Sequence, residues 1–103
     1  QWASVTAVGG SGITRTTSII SANTTGGTVG STDYVYLANV GIVFTLPTAI
    51  GNTNLYTVKN WSASSVLVAT SAGETIDDGN TALMSSNYES LSFISNTSIW
   101  GIV

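Results

Sequence analysis

Thr32-Asp33-Tyr34-Val35-Tyr36-Leu37-Ala38-Asn39-Val40-Gly41-Ile42-Val43-Phe44-Thr45-Leu46-Pro47 is the stretch that decides the fold class. Tyr34, Tyr36, Ala38 and Val40 alternate against Val35, Leu37 and Asn39. Ile42, Phe44 and Leu46 then alternate with Val43 and Thr45, and Pro47, which has no N–H to give a ladder, stops the run. A period of two built from β-branched and aromatic residues is the pattern of a strand with one face in a core.

Downstream the same grammar continues. Thr48 to Asn54 is a turn-rich loop carrying Gly51-Asn52. Leu55 to Asn60 and Ser65 to Thr70 read as a hairpin, and Val66-Leu67-Val68-Ala69 is apolar on both faces, which calls for cover on both. Asp77-Asp78-Gly79-Asn80 is a turn between Glu74-Thr75-Ile76 and Thr81-Ala82-Leu83-Met84. Tyr88 to Ser95 and Ser98 to Val103 form a last pair joined by Asn96-Thr97. Short strands separated by turn signals every eight to twelve residues or so predict an all-β domain, with antiparallel strands in a sandwich or prism-like module.

Upstream the pattern fades. Gly9-Gly10-Ser11-Gly12 and Gly26-Gly27 with Gly30 are breaks, and Ile13-Thr14-Arg15-Thr16-Thr17-Ser18-Ile19-Ile20 has too few apolar positions to make a core. The reading is an extended stem over residues 1–31, in which Ile13 to Ile20 is an extended or short helical connector packing only against partner chains, and a β-structured head over residues 32–103. Starting at Gln1, the chain reads as a fragment or a processed product.

The charge content is the other strong signal. Two basic and five acidic residues are the only charges among 103, and histidine and cysteine are absent. A soluble surface usually carries about 25–35% charged residues, and lysine is the usual guard of exposed strand edges. Lys59 is the sole lysine here. Apolar faces and unguarded edges in such a chain call for cover by further copies of itself.

The same poverty closes off functions. Two basic residues cannot neutralise a nucleic-acid backbone. Histidine-based triads and thiolate chemistry have no residues to use. Glu74, Asp77, Asp78 and Glu89 are the plausible suppliers of a glycosidase pair, but Asp77 and Asp78 sit where aspartate serves a turn. The acidic residues are too sparse for a calcium loop, and Gly9-Gly10-Ser11-Gly12 lacks the Lys-Ser/Thr of a phosphate loop. No apolar run reaches the roughly 18–20 residues of a membrane helix, so no membrane insertion is expected. No cofactor or metal is expected either. Three glycosylation sequons, at Asn23, Asn60 and Asn96, occur at the frequency that composition alone gives.

Several motifs, in order, resemble a β domain of tailed-bacteriophage fibre and appendage proteins. They are Thr32-Asp33-Tyr34-Val35-Tyr36-Leu37, Thr45-Leu46-Pro47-Thr48-Ala49-Ile50-Gly51-Asn52, Tyr56-Thr57-Val58-Lys59-Asn60, Gly73-Glu74-Thr75-Ile76-Asp77-Asp78-Gly79, Tyr88-Glu89-Ser90-Leu91 and Trp100-Gly101-Ile102-Val103. Ile13-Thr14-Arg15 to Asn23-Thr24-Thr25 resembles the connector before that domain. The resemblance implies an intertwined homotrimer near the end of a virion fibre, assembled in the host cytoplasm and concerned with host attachment. It also implies contact with other virion tail proteins through an N-terminal region outside this sequence. It implies no particular ligand. The family's small, Gly-rich turn after the third motif is replaced here by Trp61.

The tryptophans divide. Trp100, in an apolar terminal strand, reads as core, and Trp2 as packing on another chain or an upstream domain. Trp61, between Asn60 and Ser62 at the expected hairpin tip, offers a ring face beside amides and hydroxyls, the chemistry of a sugar-binding surface; the alternative is that it fills a groove on a neighbouring subunit. With Asn52 and Asn54 from the preceding loop, the candidate contacts are Trp61, Asn52, Asn54, Asn60 and Ser62. Two functions follow: a non-enzymatic trimeric fibre module attaching to a host-cell receptor, with polysaccharide as the ligand class, or a trimerising spacer with no ligand. A depolymerase is the disfavoured third.

Overall fold

A computed structural model describes residues 14–28, 32–71 and 73–103. Nine strands follow one another: β1 (Thr14–Ile20), β2 (Thr24–Thr25), β3 (Thr32–Ala38), β4 (Val43–Thr45), β5 (Tyr56–Asn60), β6 (Val66–Ala69), β7 (Thr81–Met84), β8 (Ser90–Ser95) and β9 (Trp100–Ile102). The fold is all-β, with no helix among the described residues. The strands form two sheets, ordered β1-β3-β5-β8-β9 and β2-β4-β6-β7.

Both sheets are mixed, and this corrects the expectation of antiparallel strands. β1, β3 and β5 run parallel, as do β2, β4 and β6. The chain therefore winds as a short two-sheet solenoid, each coil giving one strand to each sheet. Only the last strands reverse: β7 lies antiparallel on β6, β8 on β5, and β9 on β8. The expected last pair is present as β8 and β9. The expected hairpin over Leu55–Thr70 is not: β5 and β6 lie in different sheets, so the Trp61–Ser65 segment is a corner between sheets.

The corners explain why the chain climbs instead of folding back. Those after β1, β3 and β5 stack on one another through backbone bonds from Asn39 N–H to Ile20 O and from Trp61 N–H to Ala38 O. Side chains reinforce them: Ser21 donates to Asn39 Oδ1 (2.9 Å), and Val43 N–H donates to Asn23 Oδ1 (2.9 Å). Gly41 is required by close approach, since a Cβ there would meet Ser64 Cβ at 2.7 Å and Ser65 O at 3.0 Å.

Residues 14–28, which the sequence assigned to the stem, supply β1 and β2 and pair with the chain's own β3 and β4. The remainder of that stem, with Trp2 and Gly9-Gly10-Ser11-Gly12, lies outside the described residues, as does Gly30.

Alternation fills the space between the sheets. Tyr34, Tyr36 and Ala38 of β3 and Tyr56, Val58 and Asn60 of β5 point inward, facing Phe44 and Val66 with Val68. Aromatic rings stack up the coils: Tyr34 lies 5.2 Å from Tyr56 at 7°, Tyr56 meets Trp100 edge-on at 5.2 Å, and Tyr36 tilts against Phe44 at 4.5 Å. Each such contact adds about 0.5–1.5 kcal/mol beyond the area it buries. Trp100 is fully buried and donates its indole N–H to Pro47 O (3.2 Å), as expected of a core tryptophan.

The outward faces are a different matter. On the larger sheet, Ile19 and Val103 are each 69% exposed, Ile94 is also exposed, and Val35 and Leu37 are half-buried. On the smaller sheet, Val43, Leu67 and Leu83 sit side by side across three strands, and Leu83 is exposed. Lys59 lies on β5, a central strand, and guards no edge. β1 leaves a seven-residue edge unpaired among the described residues.

Candidate functional site

β5 crosses the width of the solenoid, and the corners at its two ends differ. At its start are the Pro47–Leu55 loop, the Asp77 turn and the β8–β9 connection; at its finish is the Trp61 corner, joined by the segment before β8.

The five residues proposed from the sequence divide between these ends. Asn52 and Asn54 lie before β5, Asn60, Trp61 and Ser62 at its far end. Five residues of extended chain separate them by roughly 13 Å or more, so they do not form one site. The asparagines are also engaged. Asn52 Nδ2 donates to Thr48 O and to the Tyr56 hydroxyl, while its Oδ1 accepts from Asn54 N–H. Asn54 Oδ1 accepts from Thr32 N–H (3.0 Å), tying the second coil to the third. Asn60, fully buried, donates from Nδ2 to Ser64 O (2.8 Å) and Met84 O (3.1 Å) and accepts at Oδ1 from the N–H and hydroxyl of Ser62. Ser62 Oγ in turn accepts from Ser64 N–H. The amides of Asn52 and Asn60 are thus committed to holding corners, and Asn54 commits its Oδ1 in the same way.

Trp61 is different. Half of its surface is exposed. Strand alternation places it on the outer side with Lys59, two residues earlier, and the Lys59 ammonium lies 5.7 Å from the indole centroid. The third member comes from a distant stretch of chain. Tyr88 N–H donates to Asn60 O (2.6 Å) and Asn60 N–H to Glu89 O (2.8 Å), and this pairing brings the Tyr88 ring to 5.9 Å from the same ammonium. Tyr88 is 62% exposed and holds φ at 70°, a left-handed conformation unusual for a bulky residue. Both separations are within the ~6 Å at which a cation is attracted to a ring face.

Lys59 and Tyr88 were not among the residues proposed from the sequence. A signal for Lys59 was present: a residue two before Trp61 in an alternating strand shares its face. Tyr88 gave none, because its position depends on β8 pairing with β5.

The other end carries the acids. Asp33 faces Arg15 across β1 and β3. Glu74, buried without a cationic partner among the described residues, accepts from the Thr48 hydroxyl (2.6 Å) and Ala49 N–H (2.9 Å) and so fastens the loop after Pro47. Asp77, at φ 53°, and Asp78 form the turn that the sequence placed there, and Asp77 N–H donates to Trp100 O. A groove of about 610 Å³ opens between this loop and the β8–β9 connection, and Asn52 and Asn54 line it together with Asp33, Leu55, Ile94 and Asn96. Asn96 Oδ1 is taken by the N–H groups of Ser98 and Ile99.

Burial raises the Tyr36 hydroxyl above its ordinary pKa, against a smaller opposing effect of the Gly27 N–H that it accepts (2.8 Å). Among the described residues there is no cluster of carboxylates fit to hold a metal ion, and no helix long and apolar enough to cross a membrane. Comparisons with protein families, with curated proteins and with solved structures gave no match to this chain.

Proposed function

We propose that this chain is a non-enzymatic, trimeric module of a bacteriophage fibre, which attaches the virion to its host-cell surface through glycans. The observation that carries the reading is the outward face of the larger sheet. Ile19, Val35 and Leu37 form an apolar patch beside the β1 edge, and Ile94 and Val103 lie beyond β5, whose outward residues there are Thr57 and Lys59, on a chain whose only lysine guards no edge. A strand edge and an apolar face left open together favour association with like chains. Trp61 and Tyr88 are exposed at the far end of β5, beside Lys59, whose outward row continues that of Ile19 and Leu37, and are the groups offered to a receptor. The fibre context rests on the sequence resemblance.

Light scattering at micromolar concentration tests the assembly: a trimer is expected, and a clean monomer of 10.6 kDa would overturn it. Labelled oligomer applied to bacterial cells tests attachment. Trp61→Ala is expected to reduce adsorption while leaving the oligomer intact, and unchanged adsorption removes Trp61 from the contact.

The engagement of Asn52, Asn54 and Asn60 within the chain favours the second reading, a trimerising spacer without a ligand. Wild-type oligomer that binds neither cells nor arrayed glycans would decide for it.

A further inference from the structure

We infer that Lys59, Trp61 and Tyr88 form a binding site for a carboxylated sugar unit, such as a uronic acid within an acidic polysaccharide. This rests on the attachment reading and gives it a ligand class and a place. Three features meet at one corner. Two exposed ring faces offer the flat apolar surface on which the C–H face of a pyranose stacks. One ammonium lies within 6 Å of both centroids, where it can meet a carboxylate carried by the same sugar. That ammonium has no ion pair among the described residues.

The carboxylate next to Tyr88 in the chain, Glu89, instead accepts from Ser86 N–H (3.2 Å). The remaining four, Asp33, Glu74, Asp77 and Asp78, lie at the opposite end with Arg15. The chain's net charge of −3 is therefore concentrated away from this corner, roughly 13 Å along β5, beyond the ~8 Å screening length of physiological salt. A neutral sugar stacks on the rings and offers the ammonium only hydroxyl acceptors, whereas a carboxylated sugar adds a charge-assisted hydrogen bond, about twice as strong as a neutral one. A flexible peptide carboxylate reaches the ammonium without a pyranose face for the rings.

The Tyr88 backbone adds a second argument. A left-handed φ on a bulky side chain is a cost the fold retains where the geometry serves something else. At Tyr88 that backbone goes with a phenol ring 5.9 Å from the Lys59 ammonium.

The test is calorimetric titration of the oligomer with an oligogalacturonate tetramer and with its carboxyl-reduced, neutral counterpart. The acidic form is expected to bind about tenfold or more tightly, the effect of one charge-assisted hydrogen bond. Lys59→Gln is expected to abolish that difference and Lys59→Arg to keep it, while Trp61→Ala weakens both ligands. Lys59 is half-buried on an outward face, so both lysine variants are expected to melt with the wild type. Equal binding of the two sugars by the wild type, or undiminished discrimination by Lys59→Gln, would overturn the inference. So would a glutamate tetrapeptide bound as tightly as the acidic sugar. Adsorption of the wild type to cells separates the two levels: if it adsorbs without discriminating, the site falls and attachment stands, and if it adsorbs to no cell, attachment itself falls.

Discussion

Replacing Asn60 with alanine should damage the fold more than any ligand contact. The side chain is fully buried and makes four hydrogen bonds, two given to Ser64 O and Met84 O and two received from Ser62. Alanine leaves Met84 O and Ser62 N–H without their partner at a crowded corner, where water has little room to replace the amide. Two orphaned groups at about 1–3 kcal/mol each give a loss of about 3–5 kcal/mol once a small cavity is added. Against a typical stability of about 5–15 kcal/mol this is a large fraction. At about 4 °C or more per kcal/mol for a domain near this size, the melting temperature should fall by at least roughly 12 °C. The assay is thermal and urea unfolding at fixed protomer concentration, because association also contributes to the measured value. A loss under about 1 kcal/mol would refute this account of the corner, since it is smaller than one unsatisfied buried group. Asn60→Asp sharpens the test. It keeps the shape but points an oxygen at two carbonyl oxygens, and should lose about as much.

Other consequences are simpler to state. Gly41→Val forces a side chain to within 2.7 Å of Ser64 Cβ and should cost about 1–3 kcal/mol by overpacking, read by urea unfolding. Burial raises the Tyr36 pKa above 10.0, so the unfolded chain releases its proton first as pH rises; the stability contribution is complete below pH 10 and is lost as pH climbs through the folded-state pKa. Tyr36→Phe should show a shallower loss of stability above that pH than the wild type, measured by urea titrations across the alkaline range. Tyr88→Gly relieves the left-handed backbone and should raise stability by about 1 kcal/mol while weakening oligogalacturonate binding, giving opposite signs in unfolding and calorimetric titration.

The strands were legible because alternation reports burial directly. Tyr34, Tyr36 and Ala38 are buried and Val35 and Leu37 half-buried, as the pattern of the opening stretch requires. What the pattern withheld was the partner of each strand. Asn60-Trp61-Ser62-Ala63-Ser64 turns the chain equally well into a hairpin or around a corner, because both use the same amide- and hydroxyl-bonded turns. The better clue was repetition: Tyr34-Val35-Tyr36 and Tyr56-Thr57-Val58 recur after about 20 residues, a spacing that suits stacked coils. Thr14 to Ile20 has weak apolar content, and the alternation signal is faint there. It needs only Ile20 inside, because β3 supplies the rest of that layer. Among the site residues, the exposed ring of Trp61 could be anticipated from its polar neighbours. The burial of Asn60 could not, since an asparagine beside a turn looks the same whether it faces water or two carbonyls.

The separation of charge along β5 gives the molecule a preferred bearing. Near an anionic envelope, a side presenting Asp33, Asp77 and Asp78 against one guanidinium, with Glu74 buried behind them, is pushed away, while the Lys59 side carries no net repulsion. Each like charge brought close to such a surface costs on the order of 1 kcal/mol, and the effect fades within a screening length. A module arriving in random attitudes is thus turned before it touches, acid end outward. The few charges that this chain keeps act as a compass.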